Sequence, residues 1–430
     1  MLDRLFALET FGIKLGLENI RRLCDALQHP ERAFTSLHVA GTNGKGSVTA
    51  MAHAALVAAG LKAARYTSPH LTHLHERFVI GDAPVDDETL EIVASEVLDC
   101  ADRLQREGTL PAPPTFFEAT TAIAFELFAR ARVRAAVIEV GLGGRFDATN
   151  VLEPPVGAIT SIAHDHQQHL GDTLGQIAFE KAGILKPGMT IVLGALPGEA
   201  AGVIDRIARE RGVRLVAAAA GARVASQMEE GRARVTIDTP HGRYGPLRLS
   251  LSGEHQIQNA LVAVRLLEAA REAGLDVPHA AIVRGLEAVD WPARLELVSL
   301  ADGGQVLLDA AHNPEGARAL AAYLARWHPG RPALVVGIMR DKDADAILRE
   351  LLPVTSAVIT TAADTLRAMP ADELAARVSA IDRGRAVRAS SSVPTAVETA
   401  LEHSRTVCVA GSILLVGAVR DALKRRDILH

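Results

Sequence analysis

The chain has 430 residues, 48% of them hydrophobic and 23% charged, which is enough apolar material for a large core. Single cores stop growing at roughly 250–300 residues, so two domains are expected. A net charge of −5 with both signs mixed leaves no polybasic footprint, and 3% aromatics leave little surface for stacking bases, so nucleic acid is not an expected partner.

The opening stretch "MLDRLFALETFGIKLGLENIRR" carries charges throughout and has no uninterrupted apolar signal core. The first predicted strand, "LHVA" (37–40), runs through "GTNGKGS" into a predicted helix over 46–60. The common phosphate loop reads G-x-x-x-x-G-K-[ST]. Here Gly41 and Gly44 bracket only two residues, and Gly46 separates Lys45 from Ser47. Strand, glycine loop, lysine and helix in that order still make an anion site. Successive backbone N–H groups and the helix N-terminus point at the ligand. Gly41, Thr42, Asn43, Gly44, Lys45, Gly46 and Ser47 are therefore expected to hold a nucleotide's phosphates, with Lys45 between the β- and γ-phosphates. A glycine-rich turn with an exposed lysine is the alternative.

The longest apolar run, 48–61, is short and contains His53, so no membrane span is expected. "YTSPHL" (66–71) offers Ser68 and His70 on a proline-fixed turn, and reads equally as a loop serine and a surface histidine. A helix over 117–131 precedes the strand "AAVIEVG" (135–141). In open α/β sheets ligands sit beyond the carboxyl ends of strands, so Glu139 is placed to hold Mg²⁺; a merely solvated acid is the alternative. "VGAITSI" (156–162) and "TIVLG" (190–194) read as strands, and "TLGQIAFEKAGILKPG" (173–188) as a helix carrying Lys181. Residues 213–252 alternate apolar with polar, which predicts a small antiparallel appendage. "GLEAVDWPARLELVS" joins a helix end, a proline and a fresh strand, so the domain boundary is set between 296 and 297. "QVLLDAAHNPEGARALAAYLA", "PALVVGIM", "SAVITTA" and "TVCVAGSILLVGAV" then repeat the strand–helix logic. The expected fold is α/β: a P-loop mononucleotide-binding domain over 1–296 with a mostly parallel sheet, and a smaller Rossmann-like domain over 297–430. Three widely spaced cysteines, Cys24, Cys100 and Cys408, suit reduced thiols, and a soluble cytoplasmic protein is expected.

"GTNGKGS", "YTSPHL", "EVGLGGRFDATN", "IAFEKAGILK", "GEHQIQNA", "WPAR" and "LDAAHNPEG", in that order, resemble the folylpolyglutamate synthase/dihydrofolate synthase family, relatives of the Mur ligases. The later "GIMRDKDA" and "TLRAMPADEL" extend the resemblance to nearly the whole chain. It implies an ATP-dependent ligase that joins L-glutamate to dihydropteroate, to tetrahydrofolate, or to both, through an acyl phosphate. The resemblance also implies that the nucleotide held by Gly41–Ser47 is ATP. It implies that Ser68 and Glu139 hold a first Mg²⁺ and that His166, flanked by His164 and His169, holds a second. Lys181 matches a lysine carbamylated by CO₂. Asn259, Arg294, Asp309 and His312 match nucleotide-contacting positions, and Thr115, Phe117, Asp147 and Ala148 match pterin-binding ones. Lys45, Glu139, His166, Lys181 and Arg294 are the expected catalytic set. Ala310 stands where the family mostly has glycine. A monomer acting on small molecules is expected. The rivals are a Mur-type cell-wall ligase, which should show hydroxyl residues directly after the lysine, a P-loop ATPase switch, and an inactive scaffold.

Overall fold

The structure, a computed structural model, describes residues 2–12, 14 and 16–425. The first sheet is built from β1 (Thr35–Ala40), β2 (Ala63–Tyr66), β3 (Phe78–Ile80), β4 (Ala83–Pro84), β5 (Ala135–Glu139), β6 (Val156–Ile159), β7 (Thr190–Leu193) and β8 (Arg214–Ala217). Its order is β4-β3-β2-β5-β1-β6-β7-β8. β2, β5, β1, β6, β7 and β8 run parallel, and β3 and β4 add an antiparallel edge. β1, β5 and β6 are buried almost throughout, as parallel strands covered on both faces must be, and so they read as continuous apolar runs. β1 is flanked by β5 on one side and β6 on the other, so the chain winds away from it in both directions. The crevice beyond its carboxyl end is the place where such sheets take ligands.

β9 (Arg223–Glu229), β10 (Arg232–Thr239) and β11 (Gly242–Ser252) form a separate antiparallel sheet that packs on the helices His255–Glu272 and His279–Ala288. The expected appendage is therefore real but starts later than residue 213. The segment Arg214–Ala217 pairs in parallel with β7 and completes the first sheet. A four-residue strand is too short for its period to separate a central strand from an appendage.

A third sheet holds β12 (Glu296–Ser299), β13 (Gln305–Leu308), β14 (Ala333–Val336), β15 (Val358–Thr360), β16 (Val387–Ala389) and β17 (Thr406–Ala410), in the order β12-β13-β17-β14-β15-β16. β12 is antiparallel to β13, and the remaining pairs are parallel. No helix among the described residues is long and apolar enough to cross a membrane.

Two buried histidines make the first half sensitive to acid. His38 on β1 lies 2.8 Å from Thr149 Oγ1, and its Nδ1 has no partner. Burial, then the charge of Lys186, lowers its pKa to about 3. Burial, then Arg65, lowers His53 to about 3 as well. An unfolded histidine titrates near 6.5, so between these values the unfolded chain binds protons that the fold refuses. Stability is therefore expected to rise with pH across that window and to fall on acidification. Urea midpoints at pH 7 and pH 4.5 should differ less for His38→Gln than for the parent; an unchanged difference would remove His38 from this account.

Candidate active site

The phosphate-loop sequence leaves β1 and turns at once into the helix Lys45–Ala58, with Lys45 as its first residue. Gly44 caps that helix at φ +84°, and a side chain there would collide with the amide of Asn259. Glycine satisfies both demands. The loop is clamped to the chain beyond β6: Thr42 N donates to Ser161 O (2.9 Å), Asn43 N to Ser161 Oγ (2.9 Å), and Thr42 Oγ1 to Ala163 O (3.2 Å). Lys45 Nζ folds back over the loop and donates to Gly41 O (3.1 Å) and Thr42 O (3.2 Å). Gln256 Nε2 lies 3.4 Å from Ser47 Oγ, and Asn259 Nδ2 donates to Gln256 Oε1 (2.9 Å), so the "HQIQNA" helix braces the far side.

A second amine meets the same carbonyl. Lys181 Nζ, at the end of the helix Leu174–Lys181, donates to Gly41 O at 2.8 Å. Burial, followed by repulsion from Lys45, lowers its pKa to about 7, so much of it is a free amine at neutral pH. Glu139, the last residue of β5, is 5% exposed and accepts a hydrogen bond from Ser68 N at 3.3 Å. Burial pushes its carboxyl up against the opposing pull of Lys45, the Ser68 amide and Arg294. His70 lines the same cavity, and its Nδ1 accepts from Arg77 Nε at 3.0 Å.

The second half of the chain closes over this loop. Asn43 Nδ2 donates to Glu315 Oε2 (2.8 Å), and Asn313 Nδ2 donates to Asn43 Oδ1 (2.9 Å) and Asp165 Oδ2 (3.2 Å). Lys342 Nζ meets Asp165 Oδ1 at 2.5 Å, with both side chains under a tenth exposed, and lies 3.1 Å from His166 Nε2. Burial alone would raise the Asp165 carboxyl, but the His312 hydrogen bond and the Lys342 charge hold it well below the usual carboxylate range. Burial lowers His166 to about 4, so its neutral ring accepts from Lys342. Asp309 accepts from Leu295 N and Ala311 N, both at 2.9 Å, and thereby sets the segments that carry Arg294 and His312. Arg294 Nη1 donates to Ala293 O at 2.9 Å, and His312 Nδ1 lies 2.9 Å from Ala310 O.

Gly41–Ser47, Ser68, Glu139, His166, Lys181, Asn259, Arg294, Asp309 and His312 all line one cavity of about 840 Å³. Thr115, Phe117, Asp147 and Ala148 are not among the residues that line it. Thr115 caps the helix Phe116–Arg130, and the Phe117 ring packs against Gly141 from behind. Asp147 accepts from Leu142 N (2.7 Å), Thr149 N (3.1 Å) and Thr149 Oγ1 (2.5 Å), and Ala148 is buried beside them. Capping thus engages both oxygens of this acid, Oδ1 twice and Oδ2 once. Sequence reasoning missed Asp165, Asn313, Glu315 and Lys342. Glu139 is found because it ends β5, whereas Lys342 lies six residues beyond the end of β14 at Val336, out of reach of the strand-end rule.

Whether magnesium fits is a question of donors. Glu139 and Ser68 offer the hard oxygens that Mg²⁺ prefers, and Glu139 has one amide partner only. Among the described residues no three His, Cys, Asp or Glu side chains cluster to hold a metal. His166 is engaged by Lys342, and its ring must leave that ammonium before it can bind a cation.

Residues 39–267 match the family described as Mur ligase middle domain, and residues 293–416 match Mur ligase, glutamate ligase domain. The chain is 34% identical over 419 residues to the dihydrofolate synthase/folylpolyglutamate synthase of Bacillus subtilis, covering 96% of each chain. Mycobacterium tuberculosis folylpolyglutamate synthase complexed with ADP superposes with a TM-score of 0.91 at 33% identity, covering 98% of both chains. E. coli FolC in complex with DHPP and ADP superposes at 0.87 and 28% identity, covering 99% of this chain and 98% of that one. The chain belongs to the Mur ligases, in the dihydrofolate synthase/folylpolyglutamate synthase family of ATP-dependent ligases that form a C–N bond with glutamate.

Proposed function

We propose that the protein adds L-glutamate both to dihydropteroate and to tetrahydrofolate, as a cytoplasmic monomer whose two domains, 1–296 and 297–430, meet at the cavity. The supporting observation is the convergence of Lys45 and Lys181 on the Gly41 carbonyl, in one cavity with Glu139 and with Arg294 from the domain junction.

A carboxylate is a poor electrophile, and phosphorylation gives it a leaving group. The acceptor carboxylate attacks the γ-phosphorus of ATP, ADP leaves, and an acyl phosphate forms. The amine of glutamate then attacks the acyl carbon, phosphate leaves, and the amine releases a proton. Gly41–Ser47 hold the phosphates, Lys45 and Arg294 neutralise charge that develops on them, and Asn259 and His312 flank the nucleotide. Asp309 acts through the backbone amides that it fixes. Ser68 and Glu139 would hold one Mg²⁺ and His166 a second, and magnesium when bound supplies further neutralisation of the polyphosphate. Lys181, a free amine in large part at pH 7, is suited to take up CO₂ as a carbamate with release of a proton. Thr115, Phe117, Asp147 and Ala148 serve the pterin end by holding the wall at Gly141 and Leu142 in place. The contacts of Asn43 and Asp165 with the second domain keep water from the acyl phosphate.

Purified protein given Mg-ATP, glutamate and either acceptor should release phosphate and yield an acceptor heavier by one glutamyl residue. Phosphate release that needs no glutamate would favour the ATPase switch, and no release with either acceptor would end the ligase reading.

A further inference from the structure

The same cavity is also lined beside the helix Lys45–Ala58, by Gly46, His53 and Val57 of the helix, Arg65 of β2, and Val79 and Gly81 near the β3–β4 edge. Trp291 stands against Gly46: a Cβ there would lie 2.7 Å from Cζ2 of the indole. Arg65 of β2 lies against the same indole, its guanidinium carbon 5.2 Å from the ring centroid. The alternation along "AARY" explains the placement. Ala64 and Tyr66 enter the core under the helix Phe116–Arg130, which turns Arg65 to the opposite face of the sheet.

Arg65 is a cation without a partner. Its Nε is buried and makes no hydrogen bond, and among the described residues no ion pair closes on it; Asp290 attracts it only at longer range. Trp291 Nε1 and His53 Nε2, of residues that line the same cavity, are also buried and unpaired. Arg65 is half-buried, and withdrawing even part of a guanidinium from water without an anion is unfavourable; such violations collect where a ligand supplies what the protein lacks. Stacking on Trp291 offsets some of the loss but satisfies no N–H group.

The missing group is an anion, and the geometry indicates which. The triphosphate has its own cradle, with Lys45 and Arg294. His53 lies eight residues along the helix from Lys45, about 12 Å away, so this part of the cavity leads off from the reacting centre rather than around it. An acceptor whose reacting carboxylate sits between Lys45 and Glu139, with its pterin end toward Gly141 and Leu142, leaves this part of the cavity to a further carboxylate. A pteroate has one carboxylate, the reacting one. Each glutamyl residue already attached adds another.

We propose that Arg65, held by Trp291, binds a non-reacting carboxylate of a glutamylated acceptor and so favours pteroylglutamates over pteroate. This rests on the ligase reading given above. The test is steady-state kinetics of Arg65→Gln and Arg65→Lys with tetrahydropteroyltriglutamate, dihydropteroate and ATP. For Arg65→Gln the KM for tetrahydropteroyltriglutamate should rise about ten- to a hundred-fold, the worth of one charge-assisted pair. Its kcat and its KM values for dihydropteroate and ATP should stay within about two-fold. Arg65→Lys should recover part of the loss. Ligand-free Arg65→Gln should melt no lower than the parent, because a half-buried cation with no ion pair among the described residues has been removed.

A rise in the KM for ATP would make the anion a nucleotide phosphate, and an equal rise for dihydropteroate would make the effect one of packing. No change in any KM would leave only a stack on Trp291. Each of these overturns the proposal, as does a parent enzyme that takes dihydropteroate alone. A parent that elongates neither acceptor is a separate result, which removes the ligase reading itself.

Discussion

Lys45→Ala is expected to lower kcat/KM for ATP by about a hundred- to a thousand-fold, the range seen when one preorganised charge-stabilising donor is removed. The side chain starts the helix at the phosphate loop, and its Nζ bonds only to the carbonyls of Gly41 and Thr42. Its loss therefore breaks no contact between elements, and the melting temperature should stay close to that of the parent. A second consequence follows from charge. Lys45 helps to lower the pKa of Lys181 to about 7, so without it that pKa rises. The free-amine fraction of Lys181 at pH 7 then falls, and the residual activity should recover toward higher pH, most visibly when bicarbonate is added. Phosphate release followed from pH 6.5 to 9 checks both points. Activity within a few-fold of the parent would mean that Lys45 is an ordinary helix-start lysine.

Glu139→Gln should be nearly as damaging, by a different route. The substitution keeps shape and an acceptor for Ser68 N, and removes only the charge. Activity at fixed magnesium should fall about a hundred-fold or more, and the Mg²⁺ concentration for half-maximal rate should rise. Stability should move the other way. Burial already pushes the Glu139 carboxyl up, so a neutral amide removes a strained charge and the ligand-free protein should melt at the same temperature or higher. Loss of both activity and stability would make Glu139 a structural acid, and an unchanged Mg²⁺ requirement would remove it from the metal site.

The fold was legible where burial writes a simple pattern. β1, β5, β6 and β7 lie where the apolar runs placed them, because a parallel strand covered on both faces tolerates few polar residues. The turn from helix to β12 at residue 296 was legible through the proline and the fresh strand. β8 was not, since four residues with partial exposure look alike in a sheet and in an appendage.

The site divides in the same way. An anion cradle is a local object: the directions of the N–H groups from Gly41 to Ser47 follow from glycine positions and the start of one helix, so a short stretch of chain settles them. Thr115 and Asp147 show the limit of motif reading, because the residues that cap helices are also those that bind ligands. The pairing of Asp165 with Lys342, 177 residues apart, and the bridges from Asn43 to Asn313 and Glu315 have no local signature. Nor does the free amine of Lys181 or the unpaired cation of Arg65. The sequence by itself determined which chemical groups are present and where a glycine loop meets the start of a helix. Only the tertiary structure decided their protonation and partners, because those depend on burial and on charges brought together from distant parts of the chain.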